Sequence, residues 1–229
     1  MPTVHVLRVF TGSHGSGGNP LGVFPDGPRV VPESRQAVAA DLGFSETAFV
    51  DDAASGTVAV FTPAVELPFA GHPLVGASWL LRRLGWAPAV LRPPAGIVAT
   101  WVDGDGRTWI RARPEWAPDM TLRRFPGPDD VDALTAPPEG LGFVLAWAWL
   151  DEAAGAVRAR VFAPAAGIPE DEATGAAALR LVSCLGRAVT VRQGRGSLLL
   201  ARPGPAGTAE VGGAVESYGS RSYAAPAAS

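Results

Sequence analysis

His72 stands between Gly71 and Pro73 in FTPAVELPFAGHPLVGASWLLRRLG, residues 61–85, where a polar loop gives way to an apolar run. A histidine there can hold a proton, donate to a carboxylate or orient a hydroxyl; it can also be an exposed helix-start residue with no chemistry. The small residues around it point to an anion. Backbone N–H groups at a helix N-terminus, where glycine permits close approach, form a seat for a carboxylate. A second stretch of this kind, ATGA at 173–176, puts Gly175 at another helix start. His72 is then expected over an anion site facing the second half of the chain.

Residue counts exclude much other chemistry. All 19 basic residues are arginine, so lysine Schiff bases, covalent pyridoxal phosphate and a P-loop lysine are out. Cys184 is the one cysteine, which excludes an intramolecular disulfide and paired-thiol racemisation; in LRLVSCLG it reads as helix core. The glycine-rich GSHGSGGNP, residues 12–20, fits neither a phosphate loop nor a dinucleotide fingerprint. It reads as a flexible loop near the cleft, with Asn19 and Pro20 shaping a turn. His5, His14 and His72 lack ligand spacing, so no metal is expected. A net charge of −3 argues against nucleic acid as a partner. No run of about 18 apolar residues reads as a membrane span. The N-terminus MPTVHVLRVF alternates like a strand and lacks the pattern of a secretory signal, which gives a cytoplasmic expectation.

The elements that must position these residues follow from periodicity. Strands are expected at HVLRVF, LGVFP, TAFVDD and GTVAVFTP, a helix at PESRQAVAADLG, and a largely apolar, central helix from Pro73 to Leu84 that Gly85 ends. GIVATWVDGDGRTWIRARP and FVLAWAWLDEAAGAVRARVFAP read as hairpins, with Trp147 and Trp149 on one core-facing side. Residues 60–85 also repeat at 161–186. At a constant offset of 101, nine of 26 positions are identical, Val60, Phe61, Pro63, Ala64 and Gly85 meeting Val161, Phe162, Pro164, Ala165 and Gly186 among them. Two copies of one strand-loop-helix unit are expected, with a ligand cleft between them. The halves are set at 1–103 and 104–215, followed by a disordered tail at 216–229.

GNPLGVF at 18–24, LGFSETAFV at 42–50, FTPAVELPFAGHPLVGA at 61–77, IPEDEATGAAAL at 168–179 and VRQGRGSLLLARP at 191–203 together resemble the PhzF-like phenazine biosynthesis protein family. The order matches from residue 8 to about residue 203. The resemblance implies the diaminopimelate epimerase-like fold: α+β, two pseudo-symmetric halves, each a strand barrel around a central helix. It implies proton movement on a small carboxylated substrate without metal or cofactor, and a homodimer. By position, Glu46 matches the family's catalytic acid/base, His72 and Asp171 its accompanying polar residues, and Gly71 and Gly175 its backbone donors. A carboxyl group shielded in a cleft has its pKa raised, which suits Glu46 to taking a proton from carbon and returning it elsewhere. Without the resemblance, Glu46 reads equally as a local turn residue, and Asp171 as part of a solvated acidic first turn, EDE.

Two departures bear on the substrate. The family often has serine where this chain has Ala176, and related epimerases place thiols where Ala70 and Thr174 stand, which rules out two-thiol racemisation. The reading is an isomerase moving a proton on a small carboxylic acid, plausible in specialised metabolism. Its alternatives are a non-catalytic binding protein of the same fold and an epimerase using Glu46 as a single base.

Overall fold

Alternating apolar residues in the first part of the chain form β1 (Thr3–Thr11), β2 (Gly17–Phe24), β3 (Glu46–Asp52), β4 (Thr57–Phe61) and β5 (Glu66–Leu67). The computed structural model describes residues 1–138, 142–164 and 168–224. The helix α1 (Arg35–Leu42) lies between β2 and β3, and β5 leads into α2 (Gly71–Arg83), then β6 (Val90–Leu91), β7 (Val98–Val102) and β8 (Thr108–Ala112). A second series follows: β9 (Thr121–Arg124), α3 (Pro128–Asp132), β10 (Val144–Asp151), β11 (Ala156–Ala163), β12 (Ile168–Asp171), α4 (Gly175–Leu185), β13 (Val189–Gln193), β14 (Ser197–Pro203) and β15 (Ala209–Ser222).

The two series share one wiring. In the first, β2 runs parallel to β3, β3 and β4 form a hairpin, β5 folds back on β4, and α2 follows. The chain then returns beside β4 through a parallel bridge between Thr57 and Arg92 and enters β7 and β8. In the second, β9 is parallel to β10, β10 and β11 form a hairpin, β12 folds back, α4 follows, and β13 runs parallel to β11 before β14 and β15. The fold is α+β with two pseudo-symmetric halves, as expected from the repeat. Val60 and Val161 stand at matching places in β4 and β11, while Ala165 lies outside the described residues. The offset is not constant, however. The helix-ending glycines Gly85 and Gly186 keep 101, whereas the helix starts Gly71 and Gly175 differ by 104. The second loop is longer, and its helix correspondingly shorter.

Every residue of α2 from Gly71 to Ser78 is buried, because β1, β2, β3, β7, β8 and β15 pack around it. Leu74, Val75, Ala77 and Leu81 face strand residues such as Leu7, Val9 and Ile110, and each buried leucine or valine contributes about 1.5–3 kcal/mol. Ser78, a polar residue on the buried face of α2, bonds to the Thr100 hydroxyl at 2.6 Å and so has its partner in the core. The α4 residues Leu179, Leu181 and Val182 join the same cluster as Leu145, Val161 and Leu199. Trp147 is buried and meets Trp149 edge-on at 5.3 Å between ring centroids. No helix among the described residues is long and apolar enough to cross a membrane.

Three expectations are corrected. The boundary at 103/104 cuts the turn of the β7–β8 hairpin, yet β8 packs on α2, so the seam between halves lies between Ala112 and Thr121. Residues 216–222 are not a disordered tail. They continue β15, which pairs first with β8 and β14 and then runs along β1, setting Glu216 opposite Arg8 and Ser222 opposite Thr3. Its last six residues, SYGSRS, are all exposed, so no alternation of buried and exposed positions marked the strand; β1 recruits it to satisfy an otherwise open edge. Residues 225–229 lie outside the described residues. Cys184 is exposed, since the core face of α4 is taken by Leu181 and Val182.

Tyr223, just beyond β15, is buried edge-on to Phe24 and donates its hydroxyl to Asp41 at 2.7 Å. Tyr223→Ala is expected to cost about 3 kcal/mol in urea unfolding, the range for a truncated buried aromatic. A disordered tail would give no change.

Candidate active site

The starts of α2 and α4 meet at the seam between the halves. A Cβ on Gly71 would lie 2.8 Å from the Gly175 Cα and the Ala176 nitrogen, and one on Gly175 would lie 3.1 Å from the Gly71 Cα. Only glycine permits this backbone contact. Neither Ala70 nor Thr174, the residues preceding the helices, caps its helix with a side chain. Two N-termini, each carrying about half a positive charge, therefore confront one another at a pocket. That pocket is lined by Gly71, His72, Gly175, Ala176, Glu46 and Asp171, with Leu67, Phe69, Pro118, Phe143 and Ile168 forming apolar walls. All six sequence-predicted residues thus come to one place.

Glu46 opens β3 with its carboxyl turned inward and only 7% exposed, so it is no turn residue. Its Oε2 lies 3.5 Å from His72 Nε2, and neither atom has a hydrogen-bond partner. That distance is too long for a bond and leaves both atoms free for a third group. His72, 2% exposed, is the second residue of α2. Its Nδ1 lies 3.4 Å from the Asn19 amide nitrogen, and its Nε2 faces Glu46.

Burial sets the charge states. Desolvation pushes the Glu46 carboxyl up to about 7, with the adjacent Ser45 hydroxyl acting the other way. Desolvation holds His72 down to about 4, although Asp171 pulls the other way. Asp171 is raised to about 6, first by desolvation and then by Glu46, with His72, Thr174 and Asn19 opposing. Near neutrality His72 is uncharged, and Glu46 lies close to half-ionised. Their contact is therefore that of a partly ionised carboxyl and a neutral imidazole, not an ion pair between two full charges.

The acidic run EDE separates into three roles. Glu170 is exposed and pairs with Arg160 at 2.6 Å. Glu172 accepts from the Arg195 N–H at 2.8 Å and the Ser197 hydroxyl at 2.9 Å. Asp171 alone is buried at the pocket, where Oδ1 accepts from Asn19 at 2.6 Å and Oδ2 from the Thr174 hydroxyl at 2.5 Å.

Asn19 was expected to shape a turn; it is instead a buried residue of β2 that ties the halves together. Its amide donates to Asp171 and to the Ala173 carbonyl at 2.9 Å, its oxygen accepts from Ser45 at 3.0 Å, and its nitrogen lies 3.4 Å from His72 Nδ1. Gln193 completes the support, accepting from the Thr174 N–H at 3.1 Å and donating to the Asp171 carbonyl at 2.8 Å and the Thr174 hydroxyl at 2.9 Å. Asn19, Ser45, Thr174 and Gln193 all sit within motifs quoted above, but nothing in their types or spacing marked them as partners of one carboxylate. His14 is exposed with φ 57° and lies apart from the pocket.

A family model described as phenazine biosynthesis-like protein matches residues 7–110. The trans-2,3-dihydro-3-hydroxyanthranilate isomerase of Pseudomonas fluorescens is 30% identical over 208 residues, which cover 74% of this chain and 75% of that protein. The chain belongs to the PhzF-like phenazine biosynthesis protein family. Within it, an uncharacterized isomerase of Pasteurella multocida is 38% identical over 100 residues, 41% of this chain and 34% of that protein. The crystal structure of a PhzF-family phenazine biosynthesis protein from Bacillus anthracis has the same fold, with a TM-score of 0.78 and 19% identity over 96% of this chain and 98% of that one.

Glu46 binds a proton more tightly folded than unfolded, where its value is near 4.5. Its contribution to stability is full below that value and is lost as pH rises towards about 7. Glu46→Gln is accordingly expected to be more stable than wild type at about pH 8, by up to about 3 kcal/mol, with the gain shrinking towards about pH 5. Urea unfolding at the two pH values checks this. Asn19→Ala, which strips a donor from buried Asp171, is expected to cost about 2–3 kcal/mol in the same assay.

Proposed function

We propose that this protein is an isomerase that moves a proton from one carbon to another within a small carboxylic acid, with Glu46 as the acid/base. The observation that carries this reading is the free pair at the head of the pocket: Glu46 Oε2 and His72 Nε2, buried, unpartnered and 3.5 Å apart beside two uncapped helix starts. A substrate carboxylate seated beside the Gly71–Gly175 contact, against both helix starts, would relieve the repulsion of the two dipoles. It would also set the adjacent carbons against Glu46.

In the ionised form Glu46 takes a proton from carbon; in the neutral form it returns one to another carbon as the double bond shifts. Its value of about 7 keeps both forms accessible at neutral pH. His72, neutral, presents Nε2 to a substrate hydroxyl or to the transferred proton. Asp171, Asn19, Thr174 and Gln193 hold the geometry. The reaction named for the Pseudomonas fluorescens relative, isomerisation of trans-2,3-dihydro-3-hydroxyanthranilate, is a proton shift on a carboxylated ring and is consistent with these groups.

Proton NMR of unsaturated cyclic and acyclic carboxylic acids in D₂O tests the proposal. Wild type is expected to introduce deuterium at carbon, and Glu46→Gln to lose at least about 100-fold of that rate, the usual scale for an acid/base residue. Acids that bind in a thermal-shift assay but exchange no hydrogen would make the protein a binding protein. Exchange at the original carbon, with the double bond unmoved, would make it a single-base epimerase.

A further inference from the structure

The chain crosses from the first half to the second through residues 113–120, between β8 and β9, and this crossover supplies a wall of the pocket. Pro118 lines the pocket together with Phe69, Phe143 and Ile168. Pro114 and Pro118 each remove a backbone donor from the crossover. Ala117, directly before Pro118, is in the extended conformation that proline favours in its predecessor, with φ −68° and ψ 144°. A segment of this shape makes no internal hydrogen bonds, so its carbonyls need donors from elsewhere. Ala117 is only 3% exposed and largely shut off from water.

The donors come from the second half. One guanidinium nitrogen of Arg180, on α4, donates to the Ala117 carbonyl at 2.9 Å, the Pro118 carbonyl at 3.3 Å and the Asp119 carboxylate at 2.8 Å. Asp119 is fully exposed, so its ion pair is weak and the carbonyl bonds are the ones that fix the wall. The first half holds the other side. The Trp116 ring lies against Gly96, where an added Cβ would come within 2.8 Å of it, and 6.2 Å from the ring of Phe69, another pocket wall. Pro118 is thus set between a tryptophan seated on one half and an arginine anchored in the other. Arg180 is not among the described residues that line the pocket, and it stands more than a turn beyond Gly175.

We propose that Arg180 is a positioning residue for the pocket: from α4 it holds the crossover carbonyls and so keeps Pro118 against a bound substrate that it does not itself touch. Arg180 has no part in the proton transfer. Loss of its donors would loosen the wall and weaken the hold on ground state and transition state alike, which raises KM and leaves kcat. The kinetic side of this inference rests on the isomerase reading above; the structural side does not.

Arg180→Met keeps an apolar stem and removes the donors. The probe is trans-2,3-dihydro-3-hydroxyanthranilate, the acid named for the Pseudomonas fluorescens relative. KM of Arg180→Met is expected to rise at least about fivefold, with kcat within about twofold and the pH profile unmoved. Arg180→Lys, which returns a charged donor on a long stem, is expected to recover most of the loss. Pro118→Ala is expected to raise KM as well, and the double variant no further than the larger single effect, as for residues that act through one contact. Hydrogen exchange reads the crossover directly. The Trp116 and Ala117 amides, bonded to the Arg113 and Pro114 carbonyls at 3.1 Å each, are expected to exchange at least about tenfold faster in Arg180→Met. Unchanged exchange there overturns the inference whatever the probe does. An unchanged KM, a fall in kcat at constant KM, or additive effects in the double variant overturn it too. A wild-type protein that binds the probe without converting it overturns the isomerase reading instead, and the comparison is then made on Kd; where the probe does not bind, exchange alone decides.

Discussion

Two helix N-termini point at one another across the seam, with Gly71 and Gly175 in backbone contact, and like ends of two macrodipoles repel. The fold holds them together because α2 and α4 are each enclosed by strands whose apolar residues form one continuous cluster. Helix burial thus supplies the force that sets the positive ends face to face. Once they are there, the space beside them favours an anion, and the nearest side chains acquire a charge environment they would not have on a surface. Any residue larger than glycine at either start would push the halves apart.

The polar groups around this point are arranged by the same seam. Asn19 from β2 reaches Asp171 and Ala173 in the second half, and Gln193 fastens Asp171 and Thr174 from β13. A buried carboxylate with donors on both oxygens is held in place. Glu46 Oε2 has no such donor, and desolvation raises both carboxyl groups, Glu46 to about 7 and Asp171 to about 6. Two carboxyl groups in one pocket therefore differ in hydrogen bonding: Asp171 is fixed by donors on both oxygens, whereas Glu46 Oε2 has no partner. The cost of burying Glu46 falls on stability, as expected for a site shaped by chemistry.

The likeness to a solved structure at 19% identity shows that this fold is kept across wide sequence change. Wiring is preserved because each half must enclose its helix. Ala176 belongs to the seam itself, its backbone nitrogen lying against Gly71, while Phe143 and Ile168 line the pocket from the second half.

The sequence by itself determined the helix starts, the repeat, the two-half α+β architecture and the positions of Glu46, His72, Gly71, Gly175, Ala176 and Asp171, because these rest on local periodicity, on glycine at fixed places and on motif resemblance. It also excluded lysine and paired-thiol chemistry by composition alone. It misplaced the seam at residue 103, the strand at 216–222, Cys184 and the role of Asn19. Each of those depends on which distant segment packs alongside: β8 is claimed by α2, the end of β15 by the open edge of β1, and Asn19 by a carboxylate 152 positions away. Only the tertiary structure decided that Asp171 rather than Glu170 or Glu172 is buried, and that Glu46 and His72 are left unpaired. Burial and hydrogen-bond satisfaction are properties of the assembled seam and have no local signature in the chain.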